Sequence, residues 1–507
     1  MSTVASEPVR VDKGLKRDSV GLLASVVLAL SSVAPAYALT ATLGPTVGEV
    51  GAQMPATFLV GFVPMLLVAY AYRRLNQVAP DAGTSFTWTT KAFGPHVGWM
   101  CGWGLLIATI IVLSNLAGVA VTFFYLFLAE VLGDESIATW GDGKLVNVLT
   151  CLAFIALATA VAYRGMTATK GVMYVLVVVQ MAALALFAVV AIGKAVNGDV
   201  PTATDFEWAW LNPFSVSSFS ALAAALSLSI FMYWGWDAAL SACEETTGSE
   251  RTPGIAALLS LLILAITYVV VAIAAQMYAG TGGDGVGLGN PETEENVFAA
   301  LAAPVLGSSV GLVLFLAVLA SSASSLQTTF IPAARTMLAM SYYKALPDSL
   351  SRIHPKHGIP SYATLVSGVG TAIFYALMTL ASENVLVDTI LSLGLMICFY
   401  YGLTAFAATW YFRHEARRDL KSFVLKGVAP LLGGLTLAAV FVRLVIDTTD
   451  PEYGSGGAIF GLGTVFVLGV GVLALGAVFM VFWQLRAPEF FRGEVLERDT
   501  PALVVEE

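Results

Sequence analysis

Twelve predominantly apolar runs, each on the order of 20 residues or longer, divide this sequence. In hydrocarbon every backbone N–H and C=O must be bonded internally, so a run of that length crosses a bilayer as a helix. The runs lie near 19–48, 55–73, 97–129, 145–163, 170–194, 217–243, 254–279, 308–340, 361–381, 389–412, 427–446 and 457–484. Composition agrees. Of 507 residues, 58% are hydrophobic and 12% charged, about half the charge of a soluble domain. A soluble enzyme, a disordered chain and a nucleic-acid binder are thereby excluded. The expectation is an all-α membrane protein of twelve transmembrane helices, with membrane lipid as a partner and no nucleic acid.

The net charge of −9 conceals a sorting of charge by side. An even number of crossings puts both termini on one side. If that side is the cytoplasm, every one of the 25 Lys and Arg except Lys144, Lys194 and Arg443 falls on an inner segment, Arg10 among them. This is the bias that orients membrane proteins. The outer stretches 284–295 and 447–452 are acidic instead. The expected place is the cytoplasmic (inner) membrane, with tails 1–18 and 485–507 in the cytoplasm. Residues 1–18 are polar and of mixed charge, and the apolar run that follows is too long for a signal-peptide core.

Little in the chain suggests covalent or metal chemistry. Cys101, Cys151, Cys243 and Cys398 are scattered through apolar runs without CxxC spacing and read as small buried hydrophobes. His96, His354, His357 and His414 lie at cytoplasmic edges without ligand spacing. No metal, no cofactor and no enzyme activity are expected. A channel would carry a filter motif or a ring-forming charged helix, and an ATP-driven pump would need a Walker motif; neither is in the sequence. A membrane-embedded sensor stays open, although there is no soluble domain through which it could signal.

Two runs are interrupted near mid-depth. The first reads Leu30-Ser31-Ser32-Val33-Ala34-Pro35-Ala36-Tyr37. Its proline removes a helical donor and frees an upstream carbonyl. The sixth reads Phe231-Met232-Tyr233-Trp234-Gly235-Trp236-Asp237, where glycine weakens the helix among bulky rings. Five runs separate the two, so they occupy corresponding positions in runs 1–5 and 6–10. Paired interrupted helices point to an alternating-access transport site, because unwound backbone exposes amides and carbonyls that hold a zwitterion or an ion.

Four stretches together resemble the amino acid–polyamine–organocation permeases. After the second run comes Tyr72-Arg73-Arg74 through Pro80-Asp81-Ala82-Gly83, then Trp88, Phe93-Gly94-Pro95 and Gly98-Trp99. The sixth run ends Trp234-Gly235-Trp236-Asp237, then Glu244-Glu245 and Arg251-Thr252-Pro253-Gly254. After the eighth come Arg335, Leu346-Pro347, Ile353-His354-Pro355 and Gly358-Ile359-Pro360. The two breaks are the fourth.

The resemblance implies a leucine-transporter-like 5+5 inverted repeat, 19–194 and 217–412, plus two extra helices over 427–484. It also implies secondary transport of an amino acid or related small amine, driven by protons in the way of the family, with exchange against a second amino acid or polyamine as the alternative. Oligomeric state is left open. The chain departs from the family at its first break. Many members carry Gly-Ser-Gly where a substrate carboxylate meets backbone amides; here stand Ser31-Ser32-Val33-Ala34-Pro35.

The expected substrate-binding residues are Ser31, Ser32, Val33 and Ala34 at the first break, with Phe231, Tyr233, Trp234 and Gly235 at the second. By resemblance Phe231, one turn before Gly235, would close over the substrate from outside. Asp237 is an acid at depth, which is costly and points to function. It could carry a proton, attract an ammonium or cap the second half of its helix. Glu244 and Glu245 lie roughly 10–12 Å further towards the cytoplasm. Ser321 and Ser324 of the eighth run could face the first break, where related folds hold sodium. Some proton-driven relatives place a lysine fifteen residues after the glycine that opens the fifth run; counting from Gly165, that position is Gln180, which cannot cycle a proton. Asn115, Tyr400 and Tyr401 are polar enough to line a pathway. The expectation is transport without sodium dependence.

Overall fold

The computed structural model describes residues 13–381 and 385–501. Arg10 and the outermost parts of both expected tails lie outside the described residues. Ten helical segments are long and apolar enough to cross a membrane among the described residues. The first, Leu22–Val78, spans 57 residues and merges the expected runs 19–48 and 55–73. It comprises α1 (Leu22–Val33), α2 (Pro35–Val50) and α3 (Met54–Val78). Then follow α4 (Ser85–Phe93), α5 (Pro95–Leu132), α6 (Lys144–Ala162) and α7 (Met166–Val196). The sixth expected run is α8 (Phe219–Met232) and the single turn α9 (Ala238–Ser241). Next come α10 (Thr252–Ala279), α11 (Val297–Leu306), α12 (Ser308–Tyr342), α13 (Ser361–Ala381) and α14 (Val385–Tyr411). Helices over Leu420–Asp447 and Thr464–Arg486 close the chain, with a small hairpin, Ala458–Ile459 against Leu462–Gly463, before the last.

The run 217–243 breaks where the sequence places its interruption: α8 has 14 residues, and the Tyr-Trp-Gly-Trp-Asp stretch after it turns through Gly235 at φ 108°. One difference from expectation lies in the loops. The loops after α3 and α10 carry α4 and α11, which hydropathy windows sized for a bilayer overlook. α4 is buried along most of its length.

Both interruptions follow from residue chemistry. Ala34 takes the left-handed conformation (φ 57°, ψ 67°), its amide still bonded to the Leu30 carbonyl. Pro35, whose ring fits a first helical position and which has no donor to lose there, opens α2. α1 and α2 lie against α10, α12 and α8 and are buried along almost their whole length. α6 and α13 instead pair with each other on the flank, where they keep bare apolar side chains such as Leu157 and Val369. The interrupted helices thus occupy the middle of the bundle.

Candidate functional site

The two breaks meet. A β-carbon built on Gly235 would lie 3.0 Å from the Ser32 carbonyl oxygen, 3.1 Å from its carbon and 3.2 Å from the Val33 nitrogen. Ser31, Ser32, Val33 and Ala34 are all buried at this contact, and the Ser31 hydroxyl has no hydrogen-bond partner. Phe231 stands edge-on to Tyr37 across the gap, ring centres 6.1 Å apart. Tyr268 donates to the Met232 carbonyl at 2.7 Å, satisfying one end of α8. Trp234 donates through its indole N–H to the Tyr400 hydroxyl. Tyr233 packs against Phe62 and Tyr268, and Trp236 stacks on Tyr401 at 5.0 Å with Tyr72 edge-on to both.

Asp237 sits beneath this aromatic group, fully buried. Neither carboxylate oxygen makes a hydrogen bond of normal geometry, although Tyr400 and Tyr401 stand beside it. It occupies the position before α9, yet its side chain accepts nothing from that turn. The geometry therefore does not bear out helix capping.

The serines of α12 divide between two faces. Ser321 accepts from the Tyr37 amide at 3.2 Å, which ties the first turn of α2 to α12. Ser324 turns away from the break: Gln180 of α7 donates to it at 3.4 Å, and it donates to the Ser321 carbonyl at 3.0 Å. The hydroxyl on the break is that of Ser325, which donates to the Ser32 carbonyl at 2.7 Å and lies 3.2 Å from Thr329. Serines at i and i+1 are about 100° apart on a helix, so a four-serine run without a fixed rotation cannot identify which one reaches the break. Asn115 accepts from Thr389 at 2.9 Å.

One turn further along α2 and α8, towards the end where α8 begins, lies a cavity of about 310 Å³ bounded by Ala41, Leu228, Glu49, Glu294 and Glu452. Phe231 and Tyr37, in edge-on contact with each other, lie about one turn nearer the breaks on the same two helices.

At the other end is a charge cluster that sequence reading missed. The Lys13 side chain is wholly buried, its ammonium 2.8 Å from Asp81 and 2.6 Å from Glu244. Asp81 also accepts from Tyr343 at 2.8 Å and from the Gly83 amide at 2.7 Å; Glu244 accepts from the Ala82 amide at 2.9 Å. Burial works against the charge on Lys13, but the two carboxylates outweigh it and hold the ammonium well above the usual lysine range. Burial likewise opposes charge on Asp81, and Lys13 and the donors around it overcome this and hold the acid below its usual range. Alongside, Arg335 forks onto Glu245 at 2.7 and 2.8 Å, while the Ser19 and Val20 amides donate to the Glu245 carbonyl. The segment 13–20 thereby fastens the α3–α4 loop, the α9 end and α12 together. The available signal was a lysine in a polar tail and an acid inside the Pro80-Asp81-Ala82-Gly83 stretch.

A family model described as "Amino acid permease" matches residues 20–467. The chain belongs to the amino acid permease family. It is similar to a branched-chain amino acid permease of Bacillus subtilis, 26% identical, over 73% of this chain and 76% of the relative. It is also similar to a low-affinity putrescine importer of Escherichia coli, 23% identical, over 84% and 89%, and to a serine/threonine exchanger of Bacillus subtilis, 22% identical, over 86% and 93%. Among solved structures, MhsT in complex with L-phenylalanine superposes with a TM-score of 0.57 at 14% identity, over 83% of this chain and 98% of that one; this likeness is one of fold. This permease is thus a multi-pass membrane protein whose relatives are transporters.

Proposed function

We propose that this permease is a secondary transporter that carries an amino acid or small amine across the cytoplasmic membrane by alternating access. The reading has twelve crossings, with α1–α2 and α8–α9 each counted as one, a 5+5 inverted repeat and both termini in the cytoplasm. The carrying observation is the contact of the two breaks at Ser32 and Gly235, in the middle of the bundle, with a polar rim from Ser325 and Thr329. The backbone of residues 31–34 takes the substrate's polar end. Phe231 with Tyr37 forms the lid towards the 310 Å³ cavity, and the Lys13 cluster closes the cytoplasmic end.

Coupling is assigned to protons and to Asp237. The support is a buried carboxylate with neither a hydrogen bond of normal geometry nor an ion pair; such a group is costly unless its charge state changes in use. Asp237→Asn keeps the shape without the charge. The variant is expected to fold at least as stably as wild type, to lose the pH dependence of uptake and to retain substrate exchange. A stable Asn variant with the wild-type pH profile removes Asp237 from coupling.

Sodium is not assigned a role. Ser321 and Ser324 are engaged with the Tyr37 amide and with Gln180. In proteoliposomes, replacing sodium by choline is expected to leave uptake of the preferred amino acid or amine unchanged, while collapsing an inward proton gradient stops accumulation. Uptake that fails without sodium and ignores the pH gradient refutes this assignment. Exchange is the second reading, favoured by similarity to the serine/threonine exchanger. Its mark in the same vesicles is uptake that needs substrate inside and responds to neither ion.

A further inference from the structure

The flank of the bundle carries a cleft that the transport reading leaves unused. It lies between α6 and α13 and encloses about 640 Å³. Its walls are Ala156, Thr159 and Ala160 on one side and Leu365, Val369 and Ala372 on the other. The helices approach closely at its base, where a β-carbon on Gly368 would meet the Thr159 hydroxyl at 2.3 Å. Above that base the small alanines leave a crease. Leu365 and Val369 are exposed along it, as is Leu157 beside it, so in a membrane protein this flank faces the hydrocarbon.

One end of the cleft is chemically different from the rest. Tyr163, Arg164 and His357 close it, and the Tyr163 ring stands edge-on to both His354 and His357. The two imidazoles lie 4.7 Å apart, tilted by 36°. Partial burial, with the cations Lys356 and Arg164 and the adjoining His354, holds the His357 imidazole below its usual range. Among the described residues neither Arg164 nor Lys356 forms an ion pair with an acid. From Leu152 to Tyr163 the apolar wall runs roughly 16 Å, about half the 30 Å hydrocarbon thickness. The cleft thus has the length of one leaflet, with cations where headgroups lie.

We infer that this cleft binds one anionic phospholipid, an acyl chain along the α6–α13 crease and the phosphate at Arg164, Lys356 and His357. An acyl chain fits the apolar walls, and the unpaired cations fit the phosphate diester. A neighbouring transmembrane helix would fill the crease but would leave the cations unanswered. The inference rests on the chain's place in the membrane and is independent of what the permease carries.

The test is native mass spectrometry of the purified full chain, with dioleoyl phosphatidylglycerol or dioleoyl phosphatidylcholine added. Phosphatidylglycerol is expected to be retained about tenfold better, in line with roughly 1 kcal/mol per basic side chain near an anionic headgroup. Arg164→Gln with Lys356→Gln should abolish the preference. Ala160→Trp, which fills the crease, should lose both lipids; Leu365→Trp on the opposite wall serves if that variant does not fold. The inference is overturned if the double variant keeps its preference, or if the crease-filling variants keep the lipid. It is equally overturned if inorganic phosphate displaces the lipid, which marks a simple ion site, or if Ala160→Trp releases a bound polypeptide or second copy instead of lipid.

Discussion

Gly235→Leu is expected to abolish substrate binding in a protein that still folds. Two effects combine at this position. The backbone there has φ 108°, a conformation that costs a residue with a side chain on the order of 1–3 kcal/mol. The added β-carbon also meets Ser32 backbone atoms at 3.0–3.1 Å, and backbone cannot swing aside as a side-chain tip can. The leucine must push the two breaks apart or occupy the space between them, and either outcome removes the surface that holds the substrate. A ligand at about 100 times its Kd stabilises by about 2.7 kcal/mol, so the gain in a thermal-shift screen of amino acids, polyamines and small amines should vanish. Gly235→Ala should show the same loss in weaker form. Trp410→Phe, at a half-exposed ring, is the control and should bind normally. Trp88 is unsuitable as a control, because its indole N–H donates to the Ala79 carbonyl and its ring packs on Tyr72. Full ligand stabilisation in Gly235→Leu would place the site elsewhere.

Lys13→Ala is expected to cost roughly 3–5 kcal/mol, the range for breaking a buried ion pair from one side. The reason is what remains: Asp81 and Glu244, both buried, lose their shared cation. The pH dependence gives a sharper readout. In the wild type Asp81 is held below its usual range, so its contribution is present above the unfolded value of about 3.9 and is lost as pH falls through the lower folded value. Lys13 is held above its usual range, so its contribution is present below about 10.4 and is lost only as pH rises through the raised value. Between these limits Lys13 and Asp81 add no slope. Without Lys13 the two acids are relieved by protonation, so the variant's deficit should be largest near neutrality and shrink towards pH 4.5. Adding Glu244→Gln to Lys13→Ala should recover part of the loss. Cys243, buried beside the cluster, should become reactive towards maleimide in the single variant. A deficit that is constant with pH would mean that Lys13 contributes by packing alone.

Legibility followed the range of the interactions concerned. The breaks were readable because their causes are local: Pro35 cannot donate inside a helix, and Gly235 weakens one. The long apolar helices were readable for the same reason, since each satisfies its own backbone in lipid. The Lys13 cluster was not, because its members are separated by 68 and 231 positions and no local pattern links them. The serine run of α12 was located but not resolved, because the rotation that puts Ser325 on the break and Ser324 on Gln180 is set by packing against α7 and α1. The acid at depth was identified, but a carboxylate immediately before a helix start leaves capping open until its oxygens are placed, and those of Asp237 accept nothing from α9.

On the proposed alternating-access cycle, the fastening by residues 13–20 would govern speed. Its three charges, buried here, would be dry only while the proposed cytoplasmic mouth is shut, and closing it would strip each of hydration worth several kcal/mol. Opening returns that hydration as the ion pairs part, so the two large terms oppose each other at every turn of the cycle. The mouth is consequently counterpoised, like a door hung with a weight, and its opening is set by the entry of water more than by the number of bonds across it. Dissolved salt reaches the charges only when they are wet, so higher ionic strength should lengthen the time spent open without altering the closed arrangement.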